Sequence, residues 1–387
     1  MKRFHFKQSK KKLTSRLNLE KILGKPDYFL LGIFGLITVF GLIMLSSASA
    51  VESYRNFGST YYLFWHQVVS GFIPGVAFFF VFAAIPYRRL EKYTVWFFII
   101  SLILLLLVFL PGIGSNNGSS AKSWINVFGL FSFQPAEIVK LFLILGLAGW
   151  FSYRGRELNN DFWNGLVPFA VILGLISLLV VMQPDLGTLI IIVSISLAVY
   201  FTAGARFTHI LWLILGGLAA FGILVIQAPY RAARLLTFLN PKIDPQGIGY
   251  HINQAFLAIG SGGFFGLGFG QSRQKFAYLP EVMGDSIFAI IAEELGFIFA
   301  VALIGLFILL AWRGLKLAQA VSDDYARFVI IGITSWFVLQ AFFNIAAMIG
   351  LMPLTGIPLP FVSYGGTALA ASLAAVGILA NISREIS

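Results

Sequence analysis

The sequence predicts an all-α polytopic membrane protein: about ten transmembrane helices, with a long extracytoplasmic loop between helices seven and eight. Three observations predict it. Only 11% of the 387 residues are charged while 58% are hydrophobic, with 40 Phe; a soluble chain carries roughly 25% charged residues and could not hide so much apolar surface behind so few charges. The apolar residues fall into ten runs, near 28–49, 62–85, 93–111, 135–152, 164–182, 186–201, 208–228, 286–312, 328–350 and 362–383, most close to the ~20 residues that span a bilayer. The basic residues, finally, segregate between alternate connections.

Each run has its own signature. The first ends in Ala48-Ser49-Ala50, which resembles a signal-peptidase site, but its apolar stretch exceeds the roughly 7–15 residues of a signal core and reads as a retained anchor. The sixth is short and leans on a tight turn at Gln183-Pro184-Asp185. The tenth is rich in Ala and other small residues, which lets helices approach closely. Ten crossings put both termini on one side. Nineteen Lys and Arg lie on that side, from the tail through Arg88, Arg154, Arg206, Arg313 and Arg384, against seven on the other. The excess of positive charge on the inside places both termini in the cytoplasm. Residues 1–27 form a basic cytoplasmic tail able to touch anionic lipid, and 28–387 the transmembrane domain. The net charge of +11 is therefore an orientation signal and not a nucleic-acid footprint. The absence of cysteine excludes disulfides, thiol nucleophiles and thiolate metal ligands. The four histidines, His5, His66, His209 and His251, show no metal-ligand spacing.

The polar residues are spent outside. Two outer segments are long, 112–134 and 229–285, and connections of that length are usually functional when they are not disordered. The second carries nine Phe and Tyr and a run of glycines from Gly260 to Gly270. It should pack on the membrane as short helices and turns, the glycines serving either close approach to a phosphate or sugar or tight turning. Outer acids are confined to Glu52, Asp185, Asp244, Glu281 and Asp285. Basic Arg231, Arg234, Lys242, Arg273 and Lys275 accompany three of these in the long loop. A basic excess beside one well-placed carboxylate suits an anionic substrate that needs a general base. Asp285, opening the eighth run, is the leading base; the same position also suits a helix cap. Glu137 and Lys140, three apart on one helix face, sit inside the fourth run, where ionisable groups face a cavity or a partner. They line a polar cavity or lock helix packing. Glu293 and Glu294 read as packing.

Several separated motifs, in order, resemble the SEDS family of shape, elongation, division and sporulation proteins (the FtsW/RodA/SpoVE group). Ser46-Ser47-Ala48-Ser49, Trp124-Ile125, the segment from Phe133 to Lys140, Gln183-Pro184-Asp185-Leu186-Gly187-Thr188, Gly247-Ile248-Gly249-Tyr250, Tyr278-Leu279-Pro280-Glu281, Asn344, and Phe361-Val362-Ser363-Tyr364-Gly365-Gly366-Thr367 carry the likeness across essentially the whole chain. Gln271-Ser272-Arg273-Gln274-Lys275 looks closest to the division branch. The resemblance implies a peptidoglycan glycosyltransferase polymerising lipid II at the outer face of the bacterial cytoplasmic membrane. Asp285 falls at the family's essential acid and would deprotonate the acceptor hydroxyl. Arg231, Arg234 and Lys275 would contact phosphate. Glu137, Lys140 and Asp185 would line the cavity beneath the loop, Trp124 would position the lipid-linked substrate, and Glu281 would stand next in line as a base. A class B penicillin-binding protein (a transpeptidase) and other division proteins would be partners. No cofactor is evident; a divalent cation, Mg or Mn, would suit the pyrophosphate, although no motif binds one. Two departures lie near the site: Met283-Gly284 where the family usually has His-Thr, and Lys122-Ser123 where Arg is often next to the Trp. A lipid II flippase and a non-catalytic division scaffold are the competing functions.

Overall fold

The computed structural model describes residues 24–115, 123–127, 131–226, 232–233, 237–239 and 247–385. Among them, eight helices are long and apolar enough to cross a membrane, and two shorter apolar helices bring the total to ten. The protein is thus a multi-pass membrane protein. In chain order the elements are α1 (Tyr28–Ala48), α2 (Ala50–Phe57), α3 (Tyr62–Gln67), α4 (Ile73–Ala84), α5 (Tyr87–Glu91), α6 (Thr94–Leu107), three short strands, α7 (Pro135–Asn159), α8 (Val167–Met182), α9 (Leu186–Thr202), α10 (Phe207–Ile226), α11 (Ile248–Gly262), α12 (Ile287–Ala320), α13 (Asp324–Met348) and α14 (Gly366–Ser383).

Two spans begin with a wide turn, and proline explains both. Val68–Phe72 and Phe162–Leu166 are π-helical and lead into α4 and α8, each of which carries a proline in its first two positions. Pro74 and Pro168 have no N–H to give the carbonyl four residues back, so the preceding turn loosens. At the second, the side chain of Arg154 donates to the Asn164 carbonyl that Pro168 leaves without its helical partner.

The two chain ends meet at one end of the bundle. The Asp27 N–H donates to Ser383 Oγ at 3.0 Å, and the Asp27 carboxylate pairs with Arg313 at 2.6 Å. Small residues bring α4 and α14 together: a Cβ at Gly377 would lie 2.4 Å from the Phe79 carbonyl, and one at Gly75 would lie 2.6 Å from Leu373 Cδ1. This is the close packing expected of an Ala-rich span. Helix α10 stands apart, with His209 its one buried side chain, so its apolar surface is left for lipid.

The opposite end holds the irregular structure. Strands β1 (Gly114–Ser115), β2 (Trp124–Val127) and β3 (Phe131–Phe133) form an antiparallel sheet in the order β1-β2-β3, with Ser115 opposite Trp124 and Ile125 opposite Phe133. Nothing in the hydropathy pattern indicates it. The long loop contributes α11, which ends as the glycines begin. Gly263, Gly266, Gly268 and Gly270 all have positive φ, a region open to glycine at no steric cost.

The eighth run is not one span, as the continuous apolar run 286–312 implies. Gly296, at φ 80° and ψ −177°, breaks α12 into residues 287–295 and 297–320. The first piece stays at the far end of the bundle. At its start Asn344, four residues from the end of α13, donates to the Asp285 carbonyl at 2.7 Å. At its close Glu294 accepts from Ser47, next to the last residue of α1, at 2.8 Å. The second piece alone crosses, at about 36 Å for a rise of 1.5 Å per residue. A Cβ at Gly296 would sit 2.3 Å from the Gly266 nitrogen and 2.6 Å from the Phe264 carbonyl. Gly296→Ala should therefore cost about 2–4 kcal/mol, from strain and overlap together. Gly305→Ala, where a Cβ meets nothing within 4 Å, should leave stability unchanged. Thermal melts of the two variants in detergent check this.

Candidate active site

Asp285 lies in the turn that enters helix 287–295. The turn is closed by Gly284 N–H and Ser286 N–H donating to the Glu281 carbonyl, at 2.9 and 3.2 Å. It is held from four directions. Asn344 takes the Asp285 carbonyl. Ser363 Oγ donates to the Gly284 carbonyl at 2.6 Å, and the Tyr364 N–H to the Met283 carbonyl at 2.8 Å. From α11, His251 Nε2 lies 2.6 Å from Ser286 Oγ. The Ser363-Tyr364 clamp is itself anchored by Phe361, whose ring packs on Phe34 and Phe337 at 5.4 and 4.8 Å between centroids. Asp285 is buried at 9% exposure. Helix capping falls to Ser286, which makes no side-chain cap hydrogen bond, so the capping role open to Asp285 in the sequence is not the one it takes.

Glu281 is exposed, with a left-handed φ of 49°. Its carboxylate folds back over the turn, Oε2 lying 3.3 Å from where a Cβ on Gly284 would stand. A second acid faces it. Burial pushes the Glu52 carboxyl above its ordinary value, the charge of Glu281 adds to the push, and Arg55 opposes it. Burial, then Tyr62 and Glu52, push the Tyr364 hydroxyl up to about 12. That hydroxyl lies 2.7 Å from His66 Nδ1. The segment around Asp285 is thus rimmed by Glu281, Glu52, Tyr364 and His66. Neither Glu52 nor His66 is marked by a motif.

The other expected residues divide. Trp124 is half-buried on β2, the strand whose flanking Ser123 Oγ lies 3.3 Å from the Gln183 carbonyl. Asp185 caps α9, accepting from the Thr188 N–H at 2.9 Å and the Thr188 hydroxyl at 2.7 Å, with Gln134 at 3.4 Å. Both stay at the far end. Glu137 and Lys140 pair at 2.8 Å with side-chain exposures of 4% and 2%. Lys140 also donates to Gln340 at 2.9 Å and lies 4.9 Å over the Trp336 ring. Lys140 thus ties α7 to α13, while Glu137 pairs within its own helix and keeps Oε2 buried without a hydrogen-bond partner among the described residues.

Lys275 does not stand at a phosphate position. Its ammonium is buried, bonded to Glu294 at 2.9 Å, the Gly270 carbonyl at 2.7 Å and Ser47 Oγ at 3.1 Å. Glu294 also accepts from the N–H groups of Gly270 and Ser272, and Glu293 from the Arg273 N–H and the Ser272 hydroxyl. The glycine run is explained by the same junction. Gly268 and Leu267 N–H groups donate to the carbonyls of Glu294 and Glu293, so these glycines make tight turns around the break. Arg231 and Arg234, expected at phosphate, lie outside the described residues.

Two outcomes test this partition. Lys275→Met strips a buried carboxylate of its partner and should cost about 3–5 kcal/mol; Lys275→Met with Glu294→Gln should recover most of it, as read by thermal denaturation. The second concerns pH. Because the folded chain holds the Glu52 proton more tightly than the unfolded chain, ionisation costs stability as pH rises past the ordinary 4.5. Glu52→Gln should therefore raise the melting temperature at pH 7 and leave it unchanged near pH 4, where the wild type is also protonated.

The chain matches the family model FTSW_RODA_SPOVE, described as cell cycle protein, over residues 27–387. It is 43% identical to stage V sporulation protein E of Bacillus subtilis, over 93% of this chain and 97% of the relative. It is 39% identical to a probable peptidoglycan glycosyltransferase FtsW of Thioalkalivibrio, over 96% and 93% of the two chains. Its fold is similar to that of a chain from a peptidoglycan synthase complex that coordinates polymerization and crosslinking, with a TM-score of 0.75 at 29% identity over 93% and 98% of the two chains. The rod shape determining protein RodA of Thermus thermophilus gives a TM-score of 0.68 at 28% identity, over 93% and 97%. With the whole transmembrane domain inside the match and the clamped Asp285 turn at its centre, the chain belongs to the FtsW/RodA/SpoVE family of cell cycle proteins.

Proposed function

We propose that the chain is a peptidoglycan glycosyltransferase that polymerises lipid II at the outer face of the bacterial cytoplasmic membrane, with both termini in the cytoplasm. The observation that carries this reading is buried Asp285, in a turn whose backbone and Ser286 side chain are fixed by Asn344, Ser363, Tyr364 and His251 at the end of the bundle away from the termini. Relatives named peptidoglycan glycosyltransferases support the reaction class. Contacts that fix the chain on both sides of one acid are what a positioned general base requires.

In the reaction, Asp285 accepts the proton of the acceptor sugar's 4-hydroxyl as that oxygen forms a bond to the donor's anomeric carbon. The bond from that carbon to the lipid pyrophosphate breaks, the electron pair leaves with the pyrophosphate, and the configuration inverts. Arg231 and Arg234 would neutralise the leaving group. Asp285 then returns its proton to water. A divalent cation would serve the same neutralisation. Among the described residues, however, no group of three or more His, Asp or Glu is placed to hold one, and no step is routed through it. Lipid II transport is less well supported, because the charges inside the bundle, Glu137 and Lys140, are paired and packed. A pure scaffold leaves the clamped turn without a purpose.

The likeness to a synthase complex supports a class B penicillin-binding protein as the crosslinking partner. The relatives named FtsW support septal synthesis alongside other division proteins, while a relative named for stage V of sporulation stands beside them. Purified lipid II, polymerised by the chain reconstituted with its transpeptidase partner, tests the reading. Asp285→Asn should lower the rate at least about a hundredfold while folding and partner binding persist. Equal polymer from both proteins would remove Asp285 as the base.

A further inference from the structure

We infer that His251 is a positioning residue for the reaction, acting through Ser286 to keep that serine's hydroxyl hydrogen off the Asp285 carboxylate. The inference rests on the reading of Asp285 as general base.

Ser286 is fully buried and has three oxygen or nitrogen neighbours of consequence. His251 Nε2 lies at 2.6 Å, the Pro280 carbonyl at 2.8 Å and Asp285 Oδ1 at 3.4 Å. A hydroxyl has one hydrogen to give and lone pairs to receive. The Pro280 carbonyl can only accept. If Ser286 gave its hydrogen to His251, two oxygen lone pairs would face each other across 2.8 Å. If His251 carries its hydrogen on Nε2, it donates to Ser286 Oγ, and Ser286 donates onward to Pro280. Both short contacts are then satisfied. The arrangement fixes the Nε2–H form of the ring by its bonding.

The consequence falls on Asp285. With the hydroxyl hydrogen committed to Pro280, Asp285 Oδ1 at 3.4 Å receives nothing from Ser286. A hydrogen bond to a carboxylate favours its charged form and lowers its basicity. Removing the His251 donor releases Ser286 Oγ from the place that holds it 3.4 Å from Asp285. The charged carboxylate, a stronger acceptor than the Pro280 carbonyl, then takes the hydrogen, and the base weakens without any residue touching substrate having changed. The ionisable groups around the turn are Glu281 from the turn itself, Glu52 from α2, and Tyr364 with its partner His66 from the clamping loop and α3. From α13 the facing group is Asn344, which does not titrate. These stay in place in the variants below, whereas His251, facing the turn from α11, is itself titratable and is removed; the serine hydroxyl is therefore read from His251→Ala against the double variant, both of which lack the imidazole.

The test is the pH dependence of lipid II polymerisation by the full chain in proteoliposomes with its transpeptidase partner, between about pH 4.5 and 8. Activity falls at acid pH as the base takes up its proton. His251→Ala should move that limb down by about one pH unit and lower the plateau rate about three- to tenfold, with KM unchanged. His251→Gln, whose amide nitrogen reaches the place of Nε2, should keep the wild-type limb. His251→Asn, too short to reach, should follow His251→Ala and serves if the alanine variant does not fold. The double variant His251→Ala with Ser286→Ala has no hydroxyl to redirect and should return to within about twofold of wild type. A wild-type limb in both His251→Ala and His251→Asn would overturn the inference, as would a double variant as impaired as the single. Asp285→Asn is run alongside. Activity retained there would instead overturn the reading of the base, and the two failures are read from different variants.

Discussion

The far end of this protein depends on one buried carboxylate. Glu294 has no exposure to solvent and lies where water cannot help it, so every lone pair must find a donor within the chain. It finds the Lys275 ammonium, the Ser47 hydroxyl and the N–H groups of Gly270 and Ser272. Those donors come from α1 and from the long loop, so satisfying the charge fixes both against α12. Charge balance here does what a disulfide does in a chain with cysteine: it staples a loop of more than fifty residues to the helix bundle. The break at Gly296 follows directly. The chain must turn beside this junction, and glycine adopts the required φ of 80° with room for the Gly266 backbone to pass.

A broken helix leaves carbonyls and N–H groups with no helical partner, and the bilayer tolerates these only where protein supplies replacements. Amide and hydroxyl side chains on the neighbouring spans do so. Gln340 bridges Lys140, Trp336 and the Pro358 carbonyl. Asn344, one turn on, bridges the Asp285 and Ile357 carbonyls. Two residues of one helix face thus serve two stretches of irregular backbone, the turn before residues 287–295 and the loop before α14. The polar groups that fold this end are the same ones that locate Asp285. Stability and site geometry are one set of bonds.

That coupling decides what could be read in the sequence. The ten crossings were legible because hydropathy acts along the chain, residue after residue. The short helix 287–295 was not, since it is as apolar as a span; only its burial from all sides by protein distinguishes it, and burial is a property of the neighbours. The three-stranded sheet escaped for the opposite reason, being too short to show a period. Asp285 was legible through its motif and its place among few outer acids. Lys275 was misplaced because charge alone cannot tell a surface cation from one bonded to Glu294, although the expectation that Glu293 and Glu294 serve packing already held the answer. Glu137 and Lys140 left two readings open; they pair at 2.8 Å, with Glu137 Oε2 buried and, among the described residues, unbonded beside the pair. His251 looked uninformative because its partner is 35 residues away.

The departures from the family pattern at Met283-Gly284 take on meaning in this light. Both residues meet the clamp through their carbonyls, Met283 from the Tyr364 N–H and Gly284 from the Ser363 hydroxyl. A carbonyl is the same whatever side chain accompanies it, so the clamp places no demand on residue type at either position. Gly284 has a further effect, because the space a Cβ would occupy there lies 3.3 Å from Glu281 Oε2. Without that side chain the Glu281 carboxylate can fold back over the turn, where its charge acts on Glu52. The departures therefore leave the turn's backbone bonds intact while giving Glu281 room above it. Ser286 belongs to the same local set, as the residue through which α11 reaches the turn. Backbone bonds place the Asp285 turn, and the side chains around it set its surroundings.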